Sequence, residues 1–145
     1  MSVSTESSPI GIDMQYLVDT NIISEIMKKE PDEHVWKWFS GLEVVYFSAV
    51  TVEEIYFGLS RRNLVRKLSW FQQFSEDKAV ILEVNERISR WSGEKRGALS
   101  AAGKSVTMAD SLIAATAHEH GLILATRNTK DFENFGIALQ NPFLK

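Results

Sequence analysis

The chain has 145 residues, 44% hydrophobic and 24% charged, which is typical of globular proteins and not of disordered or fibrous ones. Cysteine is absent, so disulfides and thiolate metal sites are excluded and any metal must be held by oxygen or histidine. The net charge of −3 argues against a strongly basic nucleic-acid-binding surface. No apolar run reaches the about 18 residues of a membrane span, and the N-terminus lacks a signal-peptide pattern, so we expect a cytoplasmic protein without a membrane partner.

The N-terminal segment differs from the rest of the chain. Residues 1–13 are rich in serine, contain Pro9 and Gly11, and show no periodicity, so we expect a disordered tail. The remaining residues, 14–145, contain no internal repeat and no linker. Their length suits one hydrophobic core, so they are predicted to form a single domain.

From Met14 onward, short apolar runs alternate with longer segments whose apolar residues recur at helical spacing. This is the pattern of βα units around a parallel sheet and predicts the α/β class. The predicted strands are residues 16–18, 44–47, 80–84, 122–125 and 137–139. Because these runs are continuous rather than alternating in polarity, we expect each strand to be covered on both faces.

Six segments carry the apolar stripe of an amphipathic helix. The stripes fall within residues 22–27, 35–42, 52–59, 64–74, 84–102 and 107–120. Gly121 is predicted to end the sixth helix, because glycine readily adopts the left-handed conformation of a helix C-terminus. The four tryptophans and most phenylalanines lie on these stripes, which favours packing or subunit-contact roles over ligand binding.

Asp19 follows the first predicted strand and precedes Thr20 and Asn21. This places it at the carboxyl end of a strand, where open parallel sheets bind their ligands. A structural explanation is equally open, since an aspartate at this position also caps the N-terminus of the following helix.

Two further acids have the same double interpretation. Glu54 follows Thr51 by three residues and Asp110 follows Thr107 by three, and both pairs match the capping box of a helix N-terminus. Glu53 points about 100° away from Glu54 around a helix and is expected to be solvated.

What favours a functional site is that all three acids lie at strand ends or at the starts of the following helices, so one sheet edge would gather them. A polar cluster follows the fourth predicted strand: Thr126, Arg127, Asn128 and Asp131. Clustered carboxylates raise one another's pKa unless a cation binds among them. Oxygen ligands favour Mg²⁺ or Mn²⁺, so the sequence predicts a divalent metal site.

Four sequence motifs, in order, resemble those of PIN-domain nucleases, and most closely the VapC-type toxins, including the FitB-like branch. They are LVDTNIISE (17–25), TVEEIYFG (51–58), ADSLIAA (109–115) and LATRN (124–128). The resemblance implies a Rossmann-like, three-layer α/β/α sandwich with a mainly parallel sheet. It also implies a homodimeric endoribonuclease that uses Mg²⁺ or Mn²⁺, is inhibited by a small VapB-like antitoxin, and contacts DNA only through that antitoxin.

The resemblance also assigns residues. The catalytic, metal-binding acids are Asp19, Glu54 and Asp110, where Glu54 is preferred over Glu53 because the family's acid lies four residues before a glycine, here Gly58. The family's fourth acidic position holds Asn128, an uncharged amide, and Asp131 is either its substitute or a turn residue. The residues expected to bind substrate are Thr20, Asn21, Thr126 and Arg127.

The expected reaction is in-line attack by a metal-activated water, since neither a G-x-S-x-G nucleophile motif nor a phosphate-binding P-loop occurs. The alternatives are a Mg²⁺-binding receiver module, a haloacid-dehalogenase-type phosphatase, and a subunit that acts mainly in a DNA-binding autorepressor complex. The first two lack expected acids here: no Asp follows the third strand, and Asn21 replaces the second acid of Asp-x-Asp. Two basic stretches, residues 61–67 and 95–104, are either phosphate contacts or solvated helix faces.

Overall fold

The computed structural model describes residues 14–144, so the tail predicted for residues 1–13 lies outside the described residues. Strands and helices alternate along the chain. The strands are β1 (Tyr16–Val18), β2 (Val45–Ser48), β3 (Ala79–Leu82), β4 (Ile123–Ala125) and β5 (Leu139–Gln140). The helices are α1 (Thr20–Ile26), α2 (Glu33–Ser40), α3 (Ala49–Arg61), α4 (Val65–Lys78), α5 (Glu86–Ala101), α6 (Met108–His120) and α7 (Thr129–Phe132), which a 3-10 turn (Glu133–Phe135) follows.

The five strands form one parallel sheet in the order β3-β2-β1-β4-β5. The central β1 pairs through Leu17 with Tyr46 of β2 on one side and with Leu124 of β4 on the other. The predicted α/β fold with a parallel sheet between helices is therefore confirmed. Receiver modules have the order 2-1-3-4-5, so the topology counts against that alternative.

Two hydrophobic clusters lie on opposite faces of the sheet. Because successive residues of a strand point to opposite faces, Tyr16 and Val18 belong to one cluster and Leu17 to the other. The first cluster includes Phe47 and Phe71, and the second includes the aromatic residues of the segment after β4. Burial of both faces fixes the sheet register and hence the positions of the residues that follow each strand.

Helix ends follow local signals in most places. The Asp32 carboxylate accepts the N–H groups of His34 and Val35 at the start of α2. Gly121 ends α6 with a φ of 62°, as predicted. Helix α5 begins after Asn85, whose side chain accepts an N–H group, and not at Val84, where the apolar stripe starts. None of the helices within residues 14–144 has the length and apolarity needed to cross a membrane.

Strand β3 departs from the prediction that every strand is covered on both faces. Val80 and Ile81 are each 43% exposed, because β3 is at the edge of the sheet. The short α7 and the turn after it were not predicted either. They bury Phe132 and Phe135 against the second cluster, although each is too short to show helical periodicity.

Candidate active site at the carboxyl edge of the sheet

A cleft of about 460 Å³ lies beyond the carboxyl ends of β1 and β4. Strand order reverses between these two strands, and parallel α/β sheets place their ligand crevice at such a point. The cleft is lined by Asp19, Thr20, Asn21, Ser24, Glu25, Lys28, Glu54, Asp110, Arg127 and Asn128. The three predicted acids thus come from three separate elements to one cleft.

Asp19 is held firmly at the bottom of this site, with an exposed fraction of 6%. Its Oδ1 accepts the Thr20 N–H at 2.8 Å, and its Oδ2 accepts the Thr126 hydroxyl at 2.7 Å and the Asn21 amide at 3.2 Å. Burial raises the pKa of Asp19 to about 6, and the negative charges of Asp110 and Glu54 add to the rise against these hydrogen bonds. Asp19 therefore caps α1, which confirms the structural interpretation, and it also carries a disfavoured charge, so its role as a metal ligand stays a prediction.

Glu54 does not take part in a capping box with Thr51. Helix α3 begins at Ala49 and is capped by Ser48, whose Oγ accepts the N–H of Val50 at 3.0 Å, so Glu54 lies beyond the first turn. Its Oε1 instead accepts the Thr20 hydroxyl at 2.5 Å, which connects α3 to the start of α1. The Thr51-x-x-Glu54 pattern is misleading here, because Ser48, three positions before Thr51, already caps the helix.

At Asp110 the structure contains one of the two hydrogen bonds of a capping box. The Thr107 hydroxyl accepts the N–H of Asp110 at 3.0 Å and caps α6. The residue is half-buried, and burial, followed by the charge of Asp131, raises its pKa. Asp131 is exposed on α7 and does not line the cleft, whereas Asn128 lines it.

The residues predicted to contact substrate fall into two groups. Thr20, Asn21 and Thr126 donate hydrogen bonds to the acids, and Thr126 is fully buried behind Asp19 rather than on the cleft wall. Arg127 is exposed at the rim, with its guanidinium 4.3 Å from the ring centre of Phe143. Only Arg127 of these residues brings a positive charge to the cleft.

Glu25 is a cleft residue to which the sequence analysis assigned no role. Its Oε1 lies 2.9 Å from Lys28 Nζ, and its Oε2 accepts the N–H of Asp32 at 2.8 Å. The hydrogen bond from Lys28 lowers the pKa of Glu25, so this buried acid is held ionised. The sequence feature that could have indicated this buried acid is its position within the apolar stripe of α1.

The acids of the cleft do not form a preformed cage for a divalent metal. Among residues 14–144, no three His, Asp or Glu side chains lie close enough to form a preformed metal-binding group. Mg²⁺, however, keeps several of its waters and binds through one or two carboxylates, so a hydrated ion suits a more open arrangement. The raised pKa values of Asp19 and Asp110 indicate carboxylate charge that a cation would stabilise. The chemistry of the cleft is therefore compatible with a hydrated divalent ion.

The family model described as PIN domain matches residues 16–137, which include every strand except β5 and all three acids. The chain belongs to the PIN-domain family. The resemblance predicted from the four motifs is thereby confirmed.

Relatives of this PIN domain are similar over nearly their full length. VapC ribonuclease Y4jK of Sinorhizobium fredii is 36% identical, with 88% of this chain and 96% of the relative covered. Toxin FitB of Neisseria gonorrhoeae is 34% identical, with 88% and 97% covered, and the crystal structure of FitAcB from that organism superposes with a TM-score of 0.78 at 33% identity, covering 90% and 100%. DNA-bound VapBC from Salmonella typhimurium gives a TM-score of 0.79 at 25% identity, covering 89% and 98%.

Proposed function

We propose that this PIN domain is a toxin-type endoribonuclease that hydrolyses RNA phosphodiester bonds with Mg²⁺ or Mn²⁺ and is inhibited by a cognate antitoxin. One observation carries the proposal: Asp19, Glu54 and Asp110, from three separate elements, line one cleft at the point where strand order reverses. The relatives named VapC ribonuclease and toxin FitB support the substrate class and the toxin role.

In this proposal the carboxylates of Asp19, Glu54 and Asp110 would hold a hydrated divalent ion, directly or through its bound waters, and the ion would supply an activated water and neutralise charge on the phosphodiester. Thr126 and Thr20 position two of these carboxylates through their hydroxyl groups. A second ion would depend on the amide oxygen of Asn128 and on Asp131, whose negative charge acts on Asp110. Arg127 at the rim binds a phosphate of the substrate.

The partners follow from the same comparisons. The FitAcB and VapBC structures support a small antitoxin partner, and DNA-bound VapBC supports DNA contact by the complex. A net charge of −3 makes this chain alone a poor DNA ligand, so we assign the DNA contacts to the antitoxin. The homodimer remains part of the proposal on family grounds.

The test is cleavage of a total RNA pool in Mg²⁺, in Mn²⁺ and in EDTA. Wild type is expected to cleave with either metal and not in EDTA, and Asp19→Asn to be inactive. The matched control is Glu53→Gln, because Glu53 is exposed, next to Glu54 in sequence, and outside the cleft. Cleavage that persists in EDTA, or an Asp19→Asn variant as active as Glu53→Gln, would refute the proposal.

A further inference from the structure

A second and larger depression, of about 740 Å³, lies where the connection between α1 and α2 faces α4. We call it the aromatic groove. Ile26, Met27 and Pro31 contribute apolar surface to it. Trp36 of α2 and Trp70 of α4 also line it, and they are 50% and 39% exposed. Two large aromatic rings in one groove are thus open to solvent.

The groove is also positively charged. Lys28, Lys29, Arg66 and Lys67 line it, against a single acid, Glu33. Of these cations, Lys28 pairs with Glu25, whereas the ion pairs among residues 14–144 include none with the other three. An anionic ligand would therefore find uncompensated charge here, although the chain as a whole is acidic.

The groove adjoins the carboxylate cleft at Lys28, which lines both depressions. On α4, Arg66 and Trp70 are four residues apart and therefore share one face of the helix. The Trp70 ring stacks on Phe74 with ring centres 5.1 Å apart and planes 10° apart, which fixes its orientation. A ligand strand that leaves the cleft past Lys28 would contact cationic side chains and exposed aromatic rings.

We propose that the aromatic groove binds the single-stranded RNA flanking the cleaved bond, with bases stacked on Trp36 and Trp70 and phosphates held by Lys29, Arg66 and Lys67. This rests on the proposed RNA-cleaving function and names a second part of its substrate site. Exposed aromatic rings between cations are the elements by which proteins bind single strands without strict sequence preference. Adjacency to the cleft favours RNA over an acidic protein segment, because a strand whose phosphodiester lies in the cleft must also leave it, and Lys28 lies where the two depressions meet.

The test measures binding of labelled single-stranded RNA by fluorescence anisotropy in EDTA, with strands of about 12 and about 3 nucleotides, within and below the range of known single-strand sites. Trp36→Ala is expected to weaken binding of the long strand about tenfold, the effect of losing one stacking platform. Arg66→Glu combined with Lys67→Glu is expected to weaken it at least tenfold and to reduce the salt dependence by about 1.4 in log–log slope, for two phosphate contacts. Binding of the short strand should change less than twofold.

The matched control is Arg61→Glu combined with Arg62→Glu, an exposed basic pair at the end of α3 that does not line the groove. It makes the same charge change and is expected to leave long-strand affinity within twofold of wild type. Circular dichroism establishes that each variant is folded. Quenching of tryptophan fluorescence by the long strand, reduced in Trp36→Ala, gives a second readout.

Three outcomes decide the matter. Groove variants that bind the long strand as tightly as wild type overturn the proposal. The same holds if they retain RNA affinity but lose the antitoxin, because the groove is then a protein-binding site. If wild type binds the long strand through the groove but does not cleave it with Mg²⁺, the ribonuclease function fails while the RNA-binding groove stands.

Discussion

The carboxylate cleft and the aromatic groove share Lys28 but are built in opposite ways. In the cleft, Asp19 and Glu54 are fixed by hydroxyl groups of Thr126 and Thr20, which are far from them in sequence. The groove presents exposed rings and long cationic side chains. Exact placement is needed where a metal and a reacting phosphate must meet, whereas adaptable contacts suffice to hold a flexible strand. Under the proposed function, we therefore expect the cleft residues to set the rate of cleavage and the groove residues to set the affinity for RNA.

The largest expected effect tests this separation directly. Glu54→Gln and Asp110→Asn should each lower kcat by about 10²–10³-fold, the cost of removing one charged group from a transition-state site. Trp36→Ala should raise KM for a long RNA and leave kcat within about twofold. Steady-state kinetics with Mg²⁺ on a long single strand measure both constants. A fall in kcat for Trp36→Ala as large as that for Glu54→Gln would end the distinction.

The next effect concerns the stability cost of the cleft. The pKa of Asp19 rises from 3.8 to about 6, so its ionisation destabilises the metal-free fold progressively as pH rises through this range. Asp19→Asn should therefore increase the free energy of unfolding in EDTA by as much as about 3 kcal/mol near pH 8 and hardly at all near pH 3, below both pKa values. Urea unfolding measures the difference. Glu53→Gln should show no such pH dependence, and a pH-independent effect of Asp19→Asn would refute the assignment.

A smaller effect on the free energy of unfolding is expected from Thr126, which is buried behind Asp19. Thr126→Val removes the hydroxyl that donates to Asp19, which should destabilise the protein by about 1.5–3 kcal/mol near pH 8, where the acceptor is charged, and by less near pH 5. Thr116→Val is the matched control. Thr116 is equally buried, but its hydroxyl donates to the uncharged carbonyl of Leu112. Its cost in urea unfolding should not vary with pH, and parallel pH profiles for the two variants would contradict the role of Thr126.

The smallest effect falls on Lys28, the residue shared by both depressions. Because Lys28 is 56% exposed, its ion pair with the buried Glu25 is screened, and Lys28→Met should cost only about 0.5–1 kcal/mol near pH 7. The pair lowers the pKa of Glu25, so its contribution is present above the ordinary glutamate pKa and is lost in acid. Unfolding at several pH values measures this. A cost that persists at low pH would show that packing, and not charge, is lost.

The position of Asp19 could be predicted because it follows a short buried apolar run, and such runs reveal strand ends. The strand runs also predicted a parallel sheet, and that sheet brings Glu54 and Asp110 to the same edge. The partner of Glu54 could not be predicted. Thr20 is 34 residues away, and the nearer Thr51 imitates a cap that Ser48 already provides.

The exposure of β3 could not be predicted from the sequence either. Residues 79–82 are as apolar as the buried strands, and only the order of the sheet determines which strand lies at its edge. Glu25 shows a different limit. Its burial is tolerated because Lys28 and the backbone of Asp32 satisfy its carboxylate, and those contacts depend on the turn between α1 and α2.

The hydrogen bond between Asp19 and Thr126 spans 107 residues of sequence. During translation at about 5–20 residues per second, Thr126 is added roughly 5–20 s after Asp19. β1 likewise lacks its β4 neighbour for the whole of that interval, because β4 immediately precedes Thr126. The polypeptide between Asp19 and Thr126 must therefore leave the ribosome before the floor of the cleft can form, so the cleft depends on one of the most non-local contacts of the fold.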